Sequence, residues 1–525
     1  MKKYIVASIA LVTLITLPFS ACKKGLDYKP KYGLNSETIF NDPDNYIHVL
    51  AKIYGSFVLT GNQGPAGQPD ITGFDEGASG LIRVLWNLQE LPTDEAVCGW
   101  TDAGIPELNN MTWSSDNVWI KYMYYRIYFT IPMCNEFIRE SSNDKLSERG
   151  FSDSDKSRIA AYRNEARFVR ALAYYYLVDM FGGGPFVTED DEPGAFNPDY
   201  GSRKQIFDYV ESELLAIEND MIPARQNVYA RADRAAVQTL LARLYLNAQV
   251  YTGQARYADV ITYCDKVINS GYNVSGVPYK NNFLADNNKS NEIIFPIAAD
   301  GRNTQTYGCT SFLIHACVGG KMSASDFGVN SGWAGLRTTK NLVNLFDTLD
   351  GRYLFFKNGQ NLEIDTITNN FPDGYGVTKF KNKTSTGANG SDPTKNFVDT
   401  DFPLFRLADV YLMYAEAVLR GGGGNLGTAI SYVNQLRERS FGNSSQNVGS
   451  IDLNFILDER GRELYWEAIR RTDLIRYGKF TDGSYLWPFK GGVATGQGVG
   501  SFLNLFPIPN SDINANPNLT QNPGY

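Results

Sequence analysis

Residues 93–106, T-D-E-A-V-C-G-W-T-D-A-G-I-P, place one aromatic side chain among three carboxylates. The flat face of the Trp100 indole can stack on the C–H surface of a pyranose ring. The carboxylates of Asp94, Glu95 and Asp102 can accept hydrogen bonds from the hydroxyls of the same sugar. This combination indicates a sugar-binding loop. The alternative is that Trp100 folds back and caps a local core.

The residues beside this indole predict a loop. Pro92 restricts the residue before it to extended conformations, and Gly99, Gly104 and Pro106 interrupt any regular element that follows. We therefore expect no regular secondary structure in this stretch, and an indole with little core to enter.

The composition of the 525-residue chain argues against several classes of function. Its net charge of -8 argues against nucleic acid as a partner, because a phosphate-binding surface needs clustered Lys and Arg. The two histidines, His48 and His315, are too few for a His-based zinc site or a Ser-His-Asp triad, and we expect both to be structural. A glycoside hydrolase with two carboxylates, such as Asp94 and Asp102, stays open as an alternative.

The N-terminus has the pattern of an export signal. Lys2 and Lys3 supply positive charge, and residues 5–17 form an apolar run that is too short to span a bilayer comfortably. Small residues then precede Cys22, as in a bacterial lipoprotein signal. We expect residues 1–21 to be the signal peptide and Cys22 to be the lipidated first residue. The alternative is ordinary secretion without lipidation.

The remaining cysteines and the loop carboxylates give little indication of a metal framework. The cysteines after Cys22 are Cys98, Cys134, Cys264, Cys309 and Cys317. An odd number cannot all pair, and no C-x-x-C spacing occurs, so we expect buried thiols and no cofactor. A structural calcium ion could bind near Asp300 and Asn303, although EF-hand spacing is absent. The alternative there is a solvated polar loop.

Apolar residues at three- and four-residue steps predict a mostly α-helical protein. The clearest helix spans residues 155–181 and ends at the glycines of residues 182–184. Further helices are predicted at 202–219, 231–251, 257–268, 405–420, 426–436 and 453–469. Helix pairs joined by short turns are typical of a tetratricopeptide-like scaffold. Residues 273–403 are rich in Gly, Asn, Asp and Ser, which predicts a loop-rich insertion within one domain, 22–525.

Four passages together resemble the SusD/RagB family of outer-membrane glycan-binding lipoproteins. They are residues 85–96 (L-W-N-L-Q-E-L-P-T-D-E-A), 165–185 (E-A-R-F-V-R-A-L-A-Y-Y-Y-L-V-D-M-F-G-G-G-P), 457–478 (L-D-E-R-G-R-E-L-Y-W-E-A-I-R-R-T-D-L-I-R-Y-G) and 506–525, which ends in L-T-Q-N-P-G-Y. The resemblance covers essentially the whole mature chain. It implies a SusD-like fold, lipid anchoring at the surface of the outer membrane, and association with a SusC-like TonB-dependent transporter.

The resemblance also implies a function and a site. Relatives of this kind capture oligosaccharides for import on an arc of aromatic side chains, with an Arg and carboxylates or amides nearby, and do no chemistry on them. The matching residues here are Arg83, Trp100 and Asp102, with Tyr307 and Trp333 from the loop-rich block. A helical scaffold that binds the transporter and no sugar is the other alternative.

The charged residues at 458–471 mix acids and bases, as an active site does. Because they lie on a predicted helix, we expect these charges to satisfy one another and to be structural.

Overall fold

The computed structural model describes residues 36–65, 67–191, 194 and 196–525. The predicted signal peptide and the lipidation site Cys22 lie outside the described residues. The chain divides into two compact units, Met1–Tyr46 and Ile47–Tyr525. The helical scaffold, the loop-rich block and the candidate site all lie in the second unit. The domain limits given above stay a prediction.

Helices make up most of the regular structure. They are α1 Ser36–Phe40, α2 Asn45–Val58, α3 Leu81–Glu90, α4 Ile105–Asn110, α5 Val118–Glu140, α6 Asn143–Glu148, α7 Asp153–Met180, α8 Arg203–Ile217, α9 Arg234–Leu246, α10 Ala248–Thr252, α11 Tyr257–Ile268, α12 Cys309–Ala316, α13 Lys340–Val343, α14 Leu407–Leu419, α15 Leu426–Phe441, α16 Leu453–Leu464, α17 Arg470–Arg476 and α18 Asn510–Ala515.

Capping residues and glycines set the ends of the scaffold helices. The side chain of Ser152 accepts a hydrogen bond from the backbone N–H of Asp155 and caps α7. Gly182, with φ of 76°, ends the chain's helical path after α7. Helix α8 begins with a capping box formed by Ser202 and Gln205. Local chemistry therefore accounts for the boundaries that the sequence predicted to within a few residues.

The helices pack as successive pairs. Helix α7 packs between α5 and α8, α9 packs on α11, and α14 packs on both α11 and α15. Small and branched side chains at these contacts, including Ala236, Leu240, Val260 and Cys264, are fully buried. This arrangement agrees with the predicted helix-pair scaffold. It also continues across the loop-rich block, because α11 and α14 lie on either side of that block in the sequence.

Short strands pair within the loop-rich block and between other parts of the chain. They are β1 Val97–Cys98, β2 Gly184–Pro185, β3 Tyr200–Gly201, β4 Ile293–Ile297, β5 Leu336–Arg337, β6 Phe355–Phe356, β7 Gly376–Val377 and β8 Phe402–Arg406. The antiparallel pairs are β1–β5, β2–β3, β4–β8 and β6–β7. Strand β4 lies near the start of the block and β8 near its end, so their pairing holds the two ends of the insertion together.

Three predicted elements differ from the structure. The helix predicted for residues 231–251 is divided at Asn247 into α9 and α10. The helix predicted for residues 453–469 ends at Leu464, because Trp466 and Ala468 adopt left-handed backbone conformations with φ of 63° and 60°. The stretch at 93–106 is not wholly irregular. It contains strand β1, and α4 begins at Ile105 with Pro106 in its first turn, a position that proline tolerates.

Buried ion pairs hold α16 and α17 in place, as expected for structural charges. Arg460 donates to Asp409 at 2.8 Å and to Asp473 at 2.7 Å. Burial alone would raise the pKa of Glu459, but Arg352 and then Arg462 lower it to about 2. The motif at 458–471 is therefore part of the packing between helices and not an active site.

Two carboxyl groups in the core lie too close together for both to be charged. Burial raises the pKa of Glu90 well above its usual range, and the charge of Glu95 adds to the rise. Burial also raises the pKa of Glu95 to about 7, although Arg470 opposes that shift. The Oε2 atom of Glu90 is buried and meets no N–H or hydroxyl donor among the described residues. A proton held between the two carboxyl groups would satisfy this atom.

This pair predicts a pH dependence of stability. Between pH of about 4.5 and 7 the folded protein binds more protons than the unfolded chain, so the free energy of unfolding falls as the pH rises. The slope from one proton approaches about 1.4 kcal/mol per pH unit. The Glu95→Gln variant, whose amide can donate to Glu90 without titrating, should show a flatter profile in urea unfolding across this window. Parallel profiles for the two proteins would contradict the shared proton.

Within the residues that the structure describes, none of the helices combines the length and apolarity needed to cross a bilayer. Cys98, Cys134, Cys264, Cys309 and Cys317 are buried free thiols, as predicted. The carboxylate of Asp300 accepts hydrogen bonds from the backbone N–H groups of Arg302 and Asn303 and from the Asn303 amide. In the described part of the chain, no three His, Cys, Asp or Glu side chains are grouped to hold a metal ion. Calcium binding stays a prediction.

Candidate glycan-binding site

Strand pairing brings two distant loops together. In the β1–β5 pair, Val97 lies opposite Arg337 and Cys98 lies opposite Leu336. The pairing continues where the N–H of Gly99 donates to the carbonyl of Gly335 at 2.9 Å. Trp100 and Trp333, which are 233 residues apart in sequence, therefore project from adjacent ends of the same two-stranded ribbon.

Three of the predicted site residues form a row of aromatic rings. The Trp100 and Trp333 ring centroids are 6.4 Å apart, and those of Trp333 and Tyr307 are 6.3 Å apart. The indole N–H of Trp100 donates to the carbonyl of Trp333 at 3.1 Å. Trp100 and Trp333 are half-buried, whereas Tyr307 is 39% exposed. We call these three rings the aromatic row. Its rings are partly exposed, and the hydrogen bond between Trp100 and Trp333 holds two of them together.

His315 lies behind the middle ring. Its imidazole stacks on Trp333 with centroids 4.7 Å apart and an interplanar angle of 20°. Its ring nitrogens lie 2.8 Å from the carbonyl of Ser331 and 2.9 Å from that of Asn396. Burial lowers the pKa of His315, and the two carbonyls oppose that shift. As expected from the sequence, His315 is structural. It covers one face of Trp333.

Arg83 provides a charged donor beside the aromatic row. Its guanidinium carbon lies 5.8 Å from the ring centroid of Trp100, 5.2 Å from that of Trp119 and 4.8 Å from that of Phe312. Its Nε atom is buried without a hydrogen-bond partner, and its terminal nitrogens donate to no residue that the structure describes. Burial lowers the pKa of Arg83. An arginine held among rings with unused donors is suited to binding ligand hydroxyls.

The position of Arg83 in the fold supports a role in binding. Arg83 lies in the first turn of α3, where the helix dipole disfavours a cation. Helix α3 is otherwise buried along its length and packs against α5 and α12, so it holds this side chain rigidly. The nearby carboxylates of Asp75 and Asp102 oppose the lowering of its pKa. Both carboxylates are exposed and can accept from ligand hydroxyls.

The structure excludes two of the carboxylates that the sequence placed around Trp100. Asp94 is fully buried and bonds to Arg470 at 2.7 Å and to the Tyr485 hydroxyl at 2.6 Å. Glu95 is 1% exposed and accepts from the backbone N–H of Trp466. Neither can reach a sugar. The hydrolase pair of Asp94 and Asp102 is therefore wrong, because the first carboxylate lies in the core and is neutralised by an arginine.

Sequence reasoning missed several residues around Arg83 and Trp333. They are Asp75, Trp119, Tyr122, Phe312 and His315. Trp119 and Tyr122 are ring neighbours on α5, with centroids 5.5 Å apart. The dense run of apolar and aromatic residues in α5 does not show which of its faces lies beside Arg83. His315 sits on a helix inside the loop-rich block, where no helix was predicted.

Gly335 leaves space for the Trp100 ring. A Cβ atom at this position would lie 2.4 Å from Cε2 of Trp100, closer than any real contact. The Gly335→Ala variant should therefore displace the indole and weaken oligosaccharide binding about tenfold or more, as expected for losing one aromatic contact. Titration calorimetry would measure the change. Gly449→Ala is the matched control, because its Cβ meets nothing within 4 Å. Equal affinities for the two variants would remove Trp100 from the site.

Comparison with known proteins identifies the class. Residues 352–525 match the SusD family, and residues 91–246 match a family described as starch-binding and associating with the outer membrane. The starch-binding protein SusD of Bacteroides thetaiotaomicron is 35% identical in an alignment that covers 99% of this chain and 98% of that protein. The chain therefore belongs to the SusD family, as the four sequence passages predicted.

Solved structures confirm the predicted fold. Surface glycan-binding protein A from Bacteroides thetaiotaomicron, solved in complex with laminarihexaose, superposes with a TM-score of 0.71 at 19% identity, covering 91% of this chain and 99% of that chain. A SusD superfamily protein from Parabacteroides distasonis gives a TM-score of 0.70 at 23% identity, covering 94% and 100%. At these identities the matches establish the helical, tetratricopeptide-like architecture and not the ligand.

Proposed function

We propose that this protein binds an oligosaccharide at the cell surface and does no chemistry on it. The observation that carries the proposal is the aromatic row of Trp100, Trp333 and Tyr307 beside the guanidinium of Arg83, which donates to no residue that the structure describes. The rings offer stacking faces for successive sugars, and Arg83, Asp75 and Asp102 offer a donor and two acceptors for their hydroxyls.

The relatives suggest a glucan as the ligand. The 35% identical relative is named for starch binding, and one structural neighbour was solved with laminarihexaose. Neither name refers to catalysis, in keeping with a binding protein that is not an enzyme. Maltoheptaose and laminarihexaose are therefore the first two ligands to test. They represent an α-linked and a β-linked glucan, whose curvatures differ.

The proposed location in the cell rests on the same family relationship. One matching family is described by its association with the outer membrane. Lipidation of Cys22 would anchor the protein to that membrane, facing outwards. A SusC-like TonB-dependent transporter would then receive the captured oligosaccharide for nutrient uptake. A glycan that must be released into a transporter is best bound weakly, and three stacking contacts with a few hydrogen bonds give Kd values in roughly the micromolar to millimolar range.

Titration calorimetry with a panel of oligosaccharides tests the proposal. The wild-type protein should bind at least one member of the panel, and the Trp100→Ala variant should bind the same ligand about tenfold more weakly. Absence of binding to any glycan would favour the scaffold alternative, in which the protein contacts only the transporter.

The same panel tests for catalysis. Prolonged incubation of the protein with each oligosaccharide should generate no new reducing ends. Turnover that disappears in an Asp102→Asn variant would show that the protein is a hydrolase that recruits a different partner carboxylate, and would overturn the assignment as a binding protein.

A further inference from the structure

A second polar surface lies in the loop-rich block. Residues 378–383 read T-K-F-K-N-K and carry three lysines. Lys379 is buried and paired with Glu467 at 2.7 Å. Lys381 and Lys383 are only half-buried. Two lysines of this segment therefore remain near the surface without the partner that neutralises the third.

These two lysines line a pocket of about 410 Å³, which we call the lysine pocket. Its lining includes Lys280, Lys381, Lys383, Thr378, Thr384 and Asp326, together with Lys379 and Ser385, whose side chains are already paired with Glu467 and Asp286. Its volume lies within the range of small-molecule sites, about 300–1,000 Å³. Three ammonium groups and two hydroxyl groups in one concavity resemble the donor set of an oxyanion site.

Three of the ammonium groups in the lysine pocket lack counter-ions. Lys280, Lys381 and Lys383 make no ion pair or side-chain hydrogen bond with any residue that the structure describes. The Lys381 ammonium lies 4.8 Å from the centroid of the Phe327 ring. The acidic residue of the lining, Asp326, is exposed and pairs with none of the three.

The pKa of Lys381 reflects the positive charges that surround it. Burial lowers the pKa of Lys381, Asp326 opposes the shift, and the neighbouring charges of Lys280 and Lys383 lower the pKa further. The three cations are therefore close enough to repel one another. The nearby Asp286 pairs with none of the three lysines: its carboxylate accepts from the N–H and hydroxyl of Ser385 and from the ammonium of Lys289. An anion bound in the pocket would remove this repulsion. The pocket is thus a local group of positive charges on a protein whose net charge is -8.

We propose that the lysine pocket binds an anionic sugar unit, carried by a carboxylated or sulfated polysaccharide. Flexible lysine ammoniums suit a carboxylate or sulfate, and the hydroxyl of Thr378 suits the sugar oxygens beside it. A pocket of this volume holds one sugar unit, which a flat basic surface would not. The proposal does not depend on the aromatic row, because none of the residues of that row lines the pocket.

Calorimetric titration with trigalacturonate at fixed ionic strength tests the proposal. The wild-type protein should bind, and a Lys381→Gln/Lys383→Gln variant should bind at least tenfold more weakly. A Lys156→Gln/Lys204→Gln variant loses the same charge from two helix-surface lysines and is the matched control, with unchanged affinity expected. Trp333→Ala should also leave trigalacturonate binding unchanged, which separates this pocket from the proposed glucan site. Lys383→Gln alone provides a milder variant, with an intermediate loss.

Several results would overturn the proposal. One is absence of trigalacturonate binding, and another is a loss caused by Trp333→Ala but not by the lysine substitutions. Binding of inorganic sulfate without trigalacturonate would assign the pocket to a free anion. Binding of hexaglutamate without trigalacturonate would assign it to an acidic protein segment. Failure of maltoheptaose and laminarihexaose to bind would contradict the proposed glucan site and leave this one intact.

Discussion

The Trp333→Ala variant is expected to bind oligosaccharide about 30-fold more weakly than the wild-type protein, a loss of about 2 kcal/mol. Trp333 is the middle ring of the aromatic row, so its removal takes away one stacking face and separates the other two. Its backbone should stay in place, because its N–H donates to the carbonyl of His315 at 2.8 Å and its carbonyl accepts from Trp100.

Calorimetry with the best-bound member of the oligosaccharide panel measures this effect. Phe196→Ala is a suitable control, because Phe196 is a large exposed aromatic residue, 49% accessible, that has no contact with the aromatic row. Its affinity should equal that of the wild type. A Trp333→Ala variant with unchanged affinity and an unchanged unfolding midpoint would show that sugar stacks elsewhere.

The second large effect is expected on folding. The Arg406→Met variant should be less stable by about 3–5 kcal/mol, because it removes the cation that three buried carboxylates share and leaves them, among the described residues, with only Arg352, Arg439 and Lys379 as cationic partners. Arg406 donates to Glu292 at 2.7 Å, to Glu463 at 2.6 Å and to Glu467 at 2.6 Å, and all four side chains are nearly inaccessible. Methionine has a similar length but replaces none of these bonds.

Urea unfolding of the two proteins at neutral pH measures the difference. Lys204→Met provides the comparison, since Lys204 pairs with Asp208 on the surface, where both side chains are more than half exposed. Removal of such a pair costs about 0–1 kcal/mol. Equal destabilisation by the two substitutions would mean that the buried cluster contributes no more than a solvated ion pair.

The fold was predictable from the sequence wherever local chemistry determines it. Helix α7 carries its own apolar periodicity, its Ser152 cap and its glycine stop, so both ends were predicted to within two residues. The helix predicted through residue 469 failed for a non-local reason. Glu95 accepts from the N–H of Trp466, and Glu90 accepts from the N–H of Ile469, so distant carboxylates replace the helical hydrogen bonds.

The candidate site was likewise predictable only in part, because some of its residues are placed by distant contacts. Glycine and polar neighbours indicated that Trp100 would be accessible, and the family resemblance implied Tyr307 and Trp333. The structure brings the three rings together. Asp94 was misassigned because its partner Arg470 lies 376 residues away. No sequence pattern within residues 93–106 predicts such a partner. Asp75 and His315 were missed for the same reason, since only tertiary packing places them beside the row.

A crystal structure of the protein soaked with the best-bound oligosaccharide tests the proposed site most directly. We predict sugar rings stacked on Trp333 and Trp100, with Tyr307 contacting a neighbouring unit and the Arg83 guanidinium donating to a sugar hydroxyl. Sugar bound at another surface, with the aromatic row and Arg83 unoccupied, would contradict the proposed binding site.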